Sequence, residues 1–223
     1  MQLPPFEYHR PASLDEALAR LSAAGDGAAV LGGGTDLLIN LKLRLERPRA
    51  LVSVRDLPEL AGVSLDASGT LRIGAGERLT DLAGHPLIVV RYPGLAQAIR
   101  AVGSQHVRNM GTLGGNLCLP TRCWYTNQSE NWRGSQQPCW KTDGQVCHVI
   151  KTAPNCRAIH SADSVPALMT LDARVLLRSS TGERELLLAD FYRDDGIENN
   201  VLAPGELITA VLVPPARVRS AFV

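Results

Sequence analysis

Apolar positions first recur at helical spacing at Leu14, Ala17, Leu18 and Leu21. They follow Ser13-Leu-Asp-Glu16, where a serine three residues ahead of a glutamate has the form of a capping box. The pattern predicts a helix that Gly25 and Gly27 stop. Ala28-Ala-Val-Leu31 is a short apolar run that reads as a buried strand. Gly32-Gly-Gly34 then turns the chain, and Thr35 or Asp36 stands where it would cap a second helix through Leu37, Leu38 and Leu41. Ala50-Leu-Val-Ser-Val54 reads as the next strand. The order helix, strand, turn, helix, strand predicts a small α/β unit over residues 1–57.

From residue 58 the pattern changes. Thr70-Leu-Arg-Ile-Gly74 alternates as a strand does, and Leu95 to Val102 has helical spacing. Ala173-Arg-Val-Leu-Leu-Arg178 and Glu183-Arg-Glu-Leu-Leu187 flank a polar turn and read as a hairpin, and Leu207-Ile-Thr-Ala-Val-Leu-Val213 as a further strand. The expected fold class is α+β, with an antiparallel sheet in a second unit over residues 58–216. Residues 119–157 fit neither period. They are rich in Asn, Gln, Ser, Thr, Trp and Cys, and a loop of that length is unusual unless it has a function.

Composition narrows the function classes. Hydrophobic residues make up 45% and charged residues 20%, and net charge is +1, which gives no footprint for nucleic acid. The first ten residues lack the basic start and apolar run of a secretory signal, and Leu87-Ile-Val-Val90 is too short to cross a bilayer. The expectation is a cytoplasmic protein with no membrane partner. Five cysteines, Cys118, Cys123, Cys139, Cys147 and Cys156, lie close together in one segment. An odd, clustered set points to a metal or redox site rather than to a disulfide framework.

Two glycine runs carry candidate chemistry. In Gly32-Gly-Gly-Thr-Asp36 the missing side chains let the backbone approach a ligand, and N–H groups beside a helix start suit a phosphate. The plainer reading is a tight strand-to-helix turn. Thr112-Leu-Gly-Gly-Asn116 repeats the signal, its plainer reading a glycine-rich loop at a strand end; Gly74-Ala-Gly76 reads as a turn. Two such runs in one chain favour a dinucleotide.

In order along the chain stand Val30-Leu-Gly-Gly-Gly-Thr-Asp-Leu37, Gly111-Thr-Leu-Gly-Gly-Asn116 and Ser161-Ala-Asp-Ser-Val-Pro-Ala-Leu168. The opening adds Phe6-Glu-Tyr8, Pro11 and Ser13-Leu-Asp-Glu-Ala17, and Gly74-Ala-Gly-Glu-Arg-Leu-Thr80 lies between. Together, over nearly the whole chain, these resemble the FAD-binding medium subunit of the xanthine dehydrogenase and carbon monoxide dehydrogenase family of molybdenum hydroxylases. The resemblance implies that fold and FAD as cofactor. It implies that Val30, Leu31, Gly32, Gly33, Gly34, Thr35, Asp36 and Leu37, with Thr112, Gly114, Gly115 and Asn116, hold the FAD pyrophosphate. Asp163 matches a position that contacts the flavin nucleotide, its plainer role a helix N-cap, and Val102 matches a less specific contact. Family members usually continue into a further C-terminal domain, and residues 217–223 are expected to begin it.

Members of the family generally pass from the second glycine run to the Asp163 region over a much shorter stretch. Here the insert carries Cys123, Cys139, Cys147 and Cys156, spaced by 15, 7 and 8 residues. Four thiolates suit a [4Fe–4S] cluster or a structural zinc, and the spacing matches neither a zinc ribbon nor a ferredoxin. The insert resembles that of the 4-hydroxybenzoyl-CoA reductase branch of the family, which implies a [4Fe–4S] cluster on these four cysteines. Cys118 falls outside it as a buried apolar side chain; His148 and His160 are lesser alternative ligands, and Trp124, Trp132 and Trp140 would pack the loop and shield the cluster. The branch implies a large molybdopterin-binding subunit, a small subunit with two [2Fe–2S] clusters, and ferredoxin as electron donor. Its reaction is reductive dehydroxylation of 4-hydroxybenzoyl-CoA to benzoyl-CoA, with this chain as the relay and no catalytic acid, base or nucleophile on it. The alternatives are the flavin subunit of another molybdenum hydroxylase, with electrons leaving through FAD to NAD or quinone, and a non-catalytic zinc-stabilised scaffold.

Overall fold

The structure is a computed structural model that describes residues 2–216; the expected start of a C-terminal domain at 217–223 lies outside the described residues. The first sheet has three strands: β1 (Glu7–His9), β2 (Ala28–Leu31) and β3 (Ala50–Ser53), in the order β1-β3-β2 and all parallel. Parallel neighbours need crossovers, and two helices supply them: α1 (Leu14–Ala24) and α2 (Leu37–Lys42). In α1 the Ser13 hydroxyl accepts from the Glu16 N–H at 3.2 Å, while the Glu16 carboxylate reaches back to the Ala12 N–H at 2.8 Å, one residue further than in a capping box. Leu14, Ala17, Leu18 and Leu21 are all buried and pack on β3.

Two local expectations change. The apolar run of β2 predicts a buried strand; β2 is instead one of two edge strands, half-covered, with Val30 39% exposed, and β3 is the buried centre. Neither Thr35 nor Asp36 caps α2 through its side chain. The Asp36 carboxylate is instead paired with Arg122 and accepts from Asn40 Nδ2 at 2.9 Å.

The second sheet has five antiparallel strands: β4 (Val63–Leu65), β5 (Leu71–Gly74), β6 (Arg174–Ser179), β7 (Gly182–Leu187) and β8 (Leu207–Val213), ordered β4-β5-β8-β6-β7. The expected hairpin is β6–β7, and β8 lies in the buried centre. Between β5 and the insert run α3 (Leu79–Gly84), α4 (Pro86–Arg91), α5 (Pro93–Ala101), α6 (Gln105–Met110) and α7 (Leu113–Leu117). Of these the sequence pattern announces α5 alone. The others span at most six residues, and Pro86 and Pro93 at helix starts cut the periodicity into pieces. Helices α3, α5 and α7 pack with α9 (Ser164–Thr170) and α10 (Leu188–Phe191) against this sheet. Leu207, at the start of β8, packs with the α1 core and joins the two units. Among the described residues no helix is long and apolar enough to cross a membrane.

Residues 119–157 form one short helix, α8 (Glu130–Gly134), and a 3₁₀ turn, Trp140–Thr142, inside long irregular stretches. Their only buried residues are Thr121, Thr126, Cys147 and Cys156, so the segment has no apolar core of its own. Polar ties hold it to the first unit. The Arg133 guanidinium donates to the carbonyls of Leu43 (3.0 Å), Arg44 (3.1 Å) and Gln128, and Arg47 pairs with Glu130. At the base, Arg122 and Ile159 exchange backbone hydrogen bonds of 2.7 and 3.0 Å. Arg133→Ala removes a charged donor from three carbonyls, each such bond contributing about 1.5–3 kcal/mol. Hydrogen exchange should show the amides of residues 123–150 opening at least tenfold more readily, with the amides of β8 unchanged.

Candidate functional site

The two glycine runs meet. A Cβ on Gly33 would stand 1.9 Å from the carbonyl oxygen of Met110 and 2.8 Å from the Cα of Gly111, and one on Gly32 would stand 2.9 Å from the Thr112 hydroxyl. The first unit therefore abuts the second backbone to backbone, at the α6–α7 junction. The Gly74-Ala-Gly76 segment joins from the other side. Gly114 N–H donates to Ala75 O at 2.8 Å, Leu113 N–H to Glu77 O at 2.9 Å, and Leu79 N–H to Gly111 O at 3.0 Å.

A cleft of about 830 Å³ opens along this junction. Its walls include Val30, Gly32 and Asp36 from the first unit and Ala75, Gly76, Thr112, Gly114 and Gly115 from the second. Leu119 and Pro120, at the root of the insert, complete one side, with Leu202 and Glu206 on another. The floor is not uniform in hydrogen bonding. Among the described residues, no backbone N–H from Gly32 to Leu37 donates to another protein group. In the second run they are taken: Gly115 N–H is bound by the Thr112 hydroxyl at 3.2 Å and Asn116 N–H by Thr112 O at 2.9 Å. The sequence pattern predicts a loop for this run. It is the short helix α7, with Thr112 as its N-cap.

The expected contact residues divide accordingly. Val30, Gly32, Asp36, Thr112, Gly114 and Gly115 line the cleft. Leu31, Gly33, Gly34, Thr35 and Leu37 shape the strand-to-helix turn behind it, Gly34 at φ 72°, a left-handed conformation open to glycine. Asn116 is buried and accepts from the Ser164 hydroxyl at 2.5 Å, tying α7 to α9. Asp163 is exposed at the start of α9, with no side-chain cap, and stands outside the cleft wall. Val102 is buried in the second core, its carbonyl accepting from Arg108 at 2.8 Å. Ala75 and Gly76 are wall residues that the sequence reading took for a plain turn. Ser164 was missed too: a serine gives no sign of its partner until the helices are packed.

The cysteines separate into two sites. Cys123, Cys139, Cys147 and Cys156 line one pocket of about 280 Å³, with Tyr125, Trp140 and Lys141. No carboxylate lines it. Among the described residues no group of three or more His, Cys, Asp or Glu is closed tightly enough to hold a single metal ion. Peptide N–H groups point at the sulfurs: Ile150 N–H reaches Cys147 Sγ at 3.4 Å. For Cys147 burial raises the thiol pKa, but the N–H groups of Ile150, Val149 and Arg157 outweigh it and lower it on balance. Burial pushes the Cys156 thiol up, against the N–H of Ala158 and the charge of Lys141. Gly196 packs against Cys156, where a Cβ would stand 2.6 Å from Sγ. Cys118 lines the other site, the cleft between the glycine runs, and burial pushes its thiol up to about 12. His148 lines the cysteine pocket but its Nε2 meets Gln137 O at 2.7 Å; His160 stacks on Tyr192 outside that pocket. Of the tryptophans Trp140 alone lines the pocket, and Trp124 is 75% exposed.

A family model described as the FAD binding domain in molybdopterin dehydrogenase matches residues 4–216. The chain belongs to that family. Its cofactor is therefore FAD. The aldehyde oxidoreductase FAD-binding subunit PaoB of Escherichia coli (strain K12) is 38% identical over 219 residues, covering 94% of this chain and 68% of that protein. The nicotinate dehydrogenase FAD-subunit of Eubacterium barkeri is 31% identical over 221 residues, covering 97% and 62%. The solved structure of carbon monoxide dehydrogenase from Hydrogenophaga pseudoflava, in a form lacking the Mo-pyranopterin moiety, superposes with a TM-score of 0.76 at 27% identity, covering 98% of this chain and 62% of that one. The chain thus spans 62% to 68% of the length of these relatives.

Within the family frame Gly33 is a packing glycine. Gly33→Ala drives a methyl into the Met110 carbonyl, an overpacking that costs about 3 kcal/mol. Calorimetry should show Tm lower by roughly 6–12 °C.

Proposed function

We propose that this chain is the flavin-bearing electron-transfer subunit of a molybdopterin dehydrogenase complex, with a second redox centre, a [4Fe–4S] cluster, on Cys123, Cys139, Cys147 and Cys156. The observation that carries the flavin part is the run from Gly32 to Leu37, none of whose N–H groups donates to a protein group among the described residues, beside the cleft between the two glycine runs. Consecutive unpaired amides at a strand-to-helix turn are a phosphate cradle, and Gly32, Gly33, Gly34 and Thr35 would take the pyrophosphate. Gly115 keeps the opposite wall low: a Cβ there would meet only the Thr112 hydroxyl, at 3.0 Å, and otherwise project into open space. Asp163 and Val102 are retained as outer contacts to parts of the nucleotide beyond the cleft. FAD, when bound, supplies exchange of electrons singly or in pairs.

The cluster rests on the chemistry of the donor set. A structural zinc would call on the same four thiolates, which line one pocket together. Four sulfurs, N–H donors and no carboxylate suit iron–sulfur ligation. Pro120 of the cleft wall and Cys123 are three residues apart, at most about 11 Å of chain, which puts one of the four cysteines near a wall of the cleft. Large molybdopterin-binding and small [2Fe–2S] subunits would complete the relay. The aldehyde and nicotinate relatives favour oxidation of a substrate on the large partner, with electrons leaving through this chain. They give less support to ferredoxin-driven reduction of 4-hydroxybenzoyl-CoA.

Gly115→Val should cut FAD content of the purified complex at least several-fold while leaving iron unchanged. Ser at Cys123, Cys139, Cys147 or Cys156 should lower iron and sulfide by about four atoms each, and Cys118→Ser should not. Zinc in place of iron would replace the cluster by a structural metal. Anaerobic addition of an oxidisable substrate should bleach the flavin bands; bleaching by reduced ferredoxin alone would restore the reductive reading.

A further inference from the structure

The cysteine pocket contains one charged side chain that the proposed function leaves without a role. Lys141 lies two residues past Cys139, in the 3₁₀ turn Trp140–Thr142, and lines the pocket together with all four cysteines. Its ammonium is anchored. Nζ donates to the Thr121 carbonyl at 2.9 Å and to the Thr121 hydroxyl at 2.5 Å. Thr121 is buried, and its hydroxyl donates to the carbonyl of Gly196, whose own N–H donates to Cys156 O at 2.9 Å. The charge is thus fixed between the segments that carry Cys123, Cys139 and Cys156. No carboxylate is in the lining; Asp195 acts on Cys156 from outside it, and the negative charges that act on Lys141 are the thiolates of Cys156, Cys123 and Cys139. Burial lowers the Lys141 pKa, and the thiolates of Cys156, Cys123 and Cys139 act against that shift.

We propose that Lys141 is a positioning residue that sets the reduction potential of the cluster, its fixed positive charge favouring the reduced form. The inference rests on the cluster assignment above. The physical ground is that four thiolates make a [4Fe–4S] cluster anionic, and one added electron increases that charge. A cation a short way off in a weakly screened pocket therefore attracts the reduced form more strongly than the oxidised one.

The test is a redox titration of the purified holoenzyme followed by electron paramagnetic resonance, with iron and FAD measured on the same samples. Lys141→Gln should keep iron, FAD and the flavin potential. Its ratio of reduced to oxidised cluster at a fixed applied potential should fall at least tenfold, which for a one-electron couple is 59 mV. Lys141→Arg should restore most of the difference, because it keeps the charge. An unchanged cluster potential in Lys141→Gln at full iron content overturns the proposal. Should Lys141→Gln lose the cluster, Lys141→Arg decides. Retention of the cluster by the arginine variant supports a role for the charge, and its loss there as well makes the residue structural and overturns the proposal. Absence of iron and sulfide from the unaltered holoenzyme would instead defeat the cluster assignment.

Discussion

The cleft between the two glycine runs depends on one contact in which there is no room for a side chain. The Gly33 backbone lies directly on the Met110–Gly111 backbone, and that approach sets the first unit beside the second. Once Gly33 is seated there, Gly32 faces Thr112, and Thr112 can cap α7 and hold the Gly115 amide. The second run spends its amides on building this wall. The first run keeps its own free. The division of labour between two similar-looking glycine motifs follows from which of them lies at a helix already capped.

The insert is organised by different forces. It buries almost none of its apolar side chains, so ordering it, at about 1–2 kcal/mol per residue in backbone entropy, is offset little by hydrophobic contact. Arginines do part of the work by donating into backbone carbonyls and into Asp36. The Arg122–Asp36 pair also places the root of the insert against the turn that carries the free amides. The two candidate redox sites have separate linings, joined through the short stretch from Pro120 to Cys123.

How far the chain could be read before its structure was known differs from element to element. Helix α1, the β6–β7 hairpin and β8 declare themselves, since each is long enough to show a full period. The helices from Leu79 to Leu117 do not, because each is only a turn or two long and prolines stand at two of their starts. For the candidate site, a glycine in sequence announces close approach without saying to what. Gly32 and Gly115 both approach the Thr112 hydroxyl, and Gly33 a backbone. The four cysteines could be picked out by their crowding alone, and Cys118 by its place on the second motif. Lys141 could not, because a lysine beside a cysteine is ordinary until the fold shows both lining the same pocket.

The paired backbone bonds between Arg122 and Ile159 give the insert the outline of an excursion that returns to its starting point. Residues facing each other in such an antiparallel pair have Cα atoms only about 5.5 Å apart. The host chain could be rejoined across that gap by a very short link without moving the walls of the cleft. A cysteine-bearing segment of this shape leaves and re-enters the flavin fold at one point, so a change in its length falls on an exposed excursion rather than on the sheets beneath it.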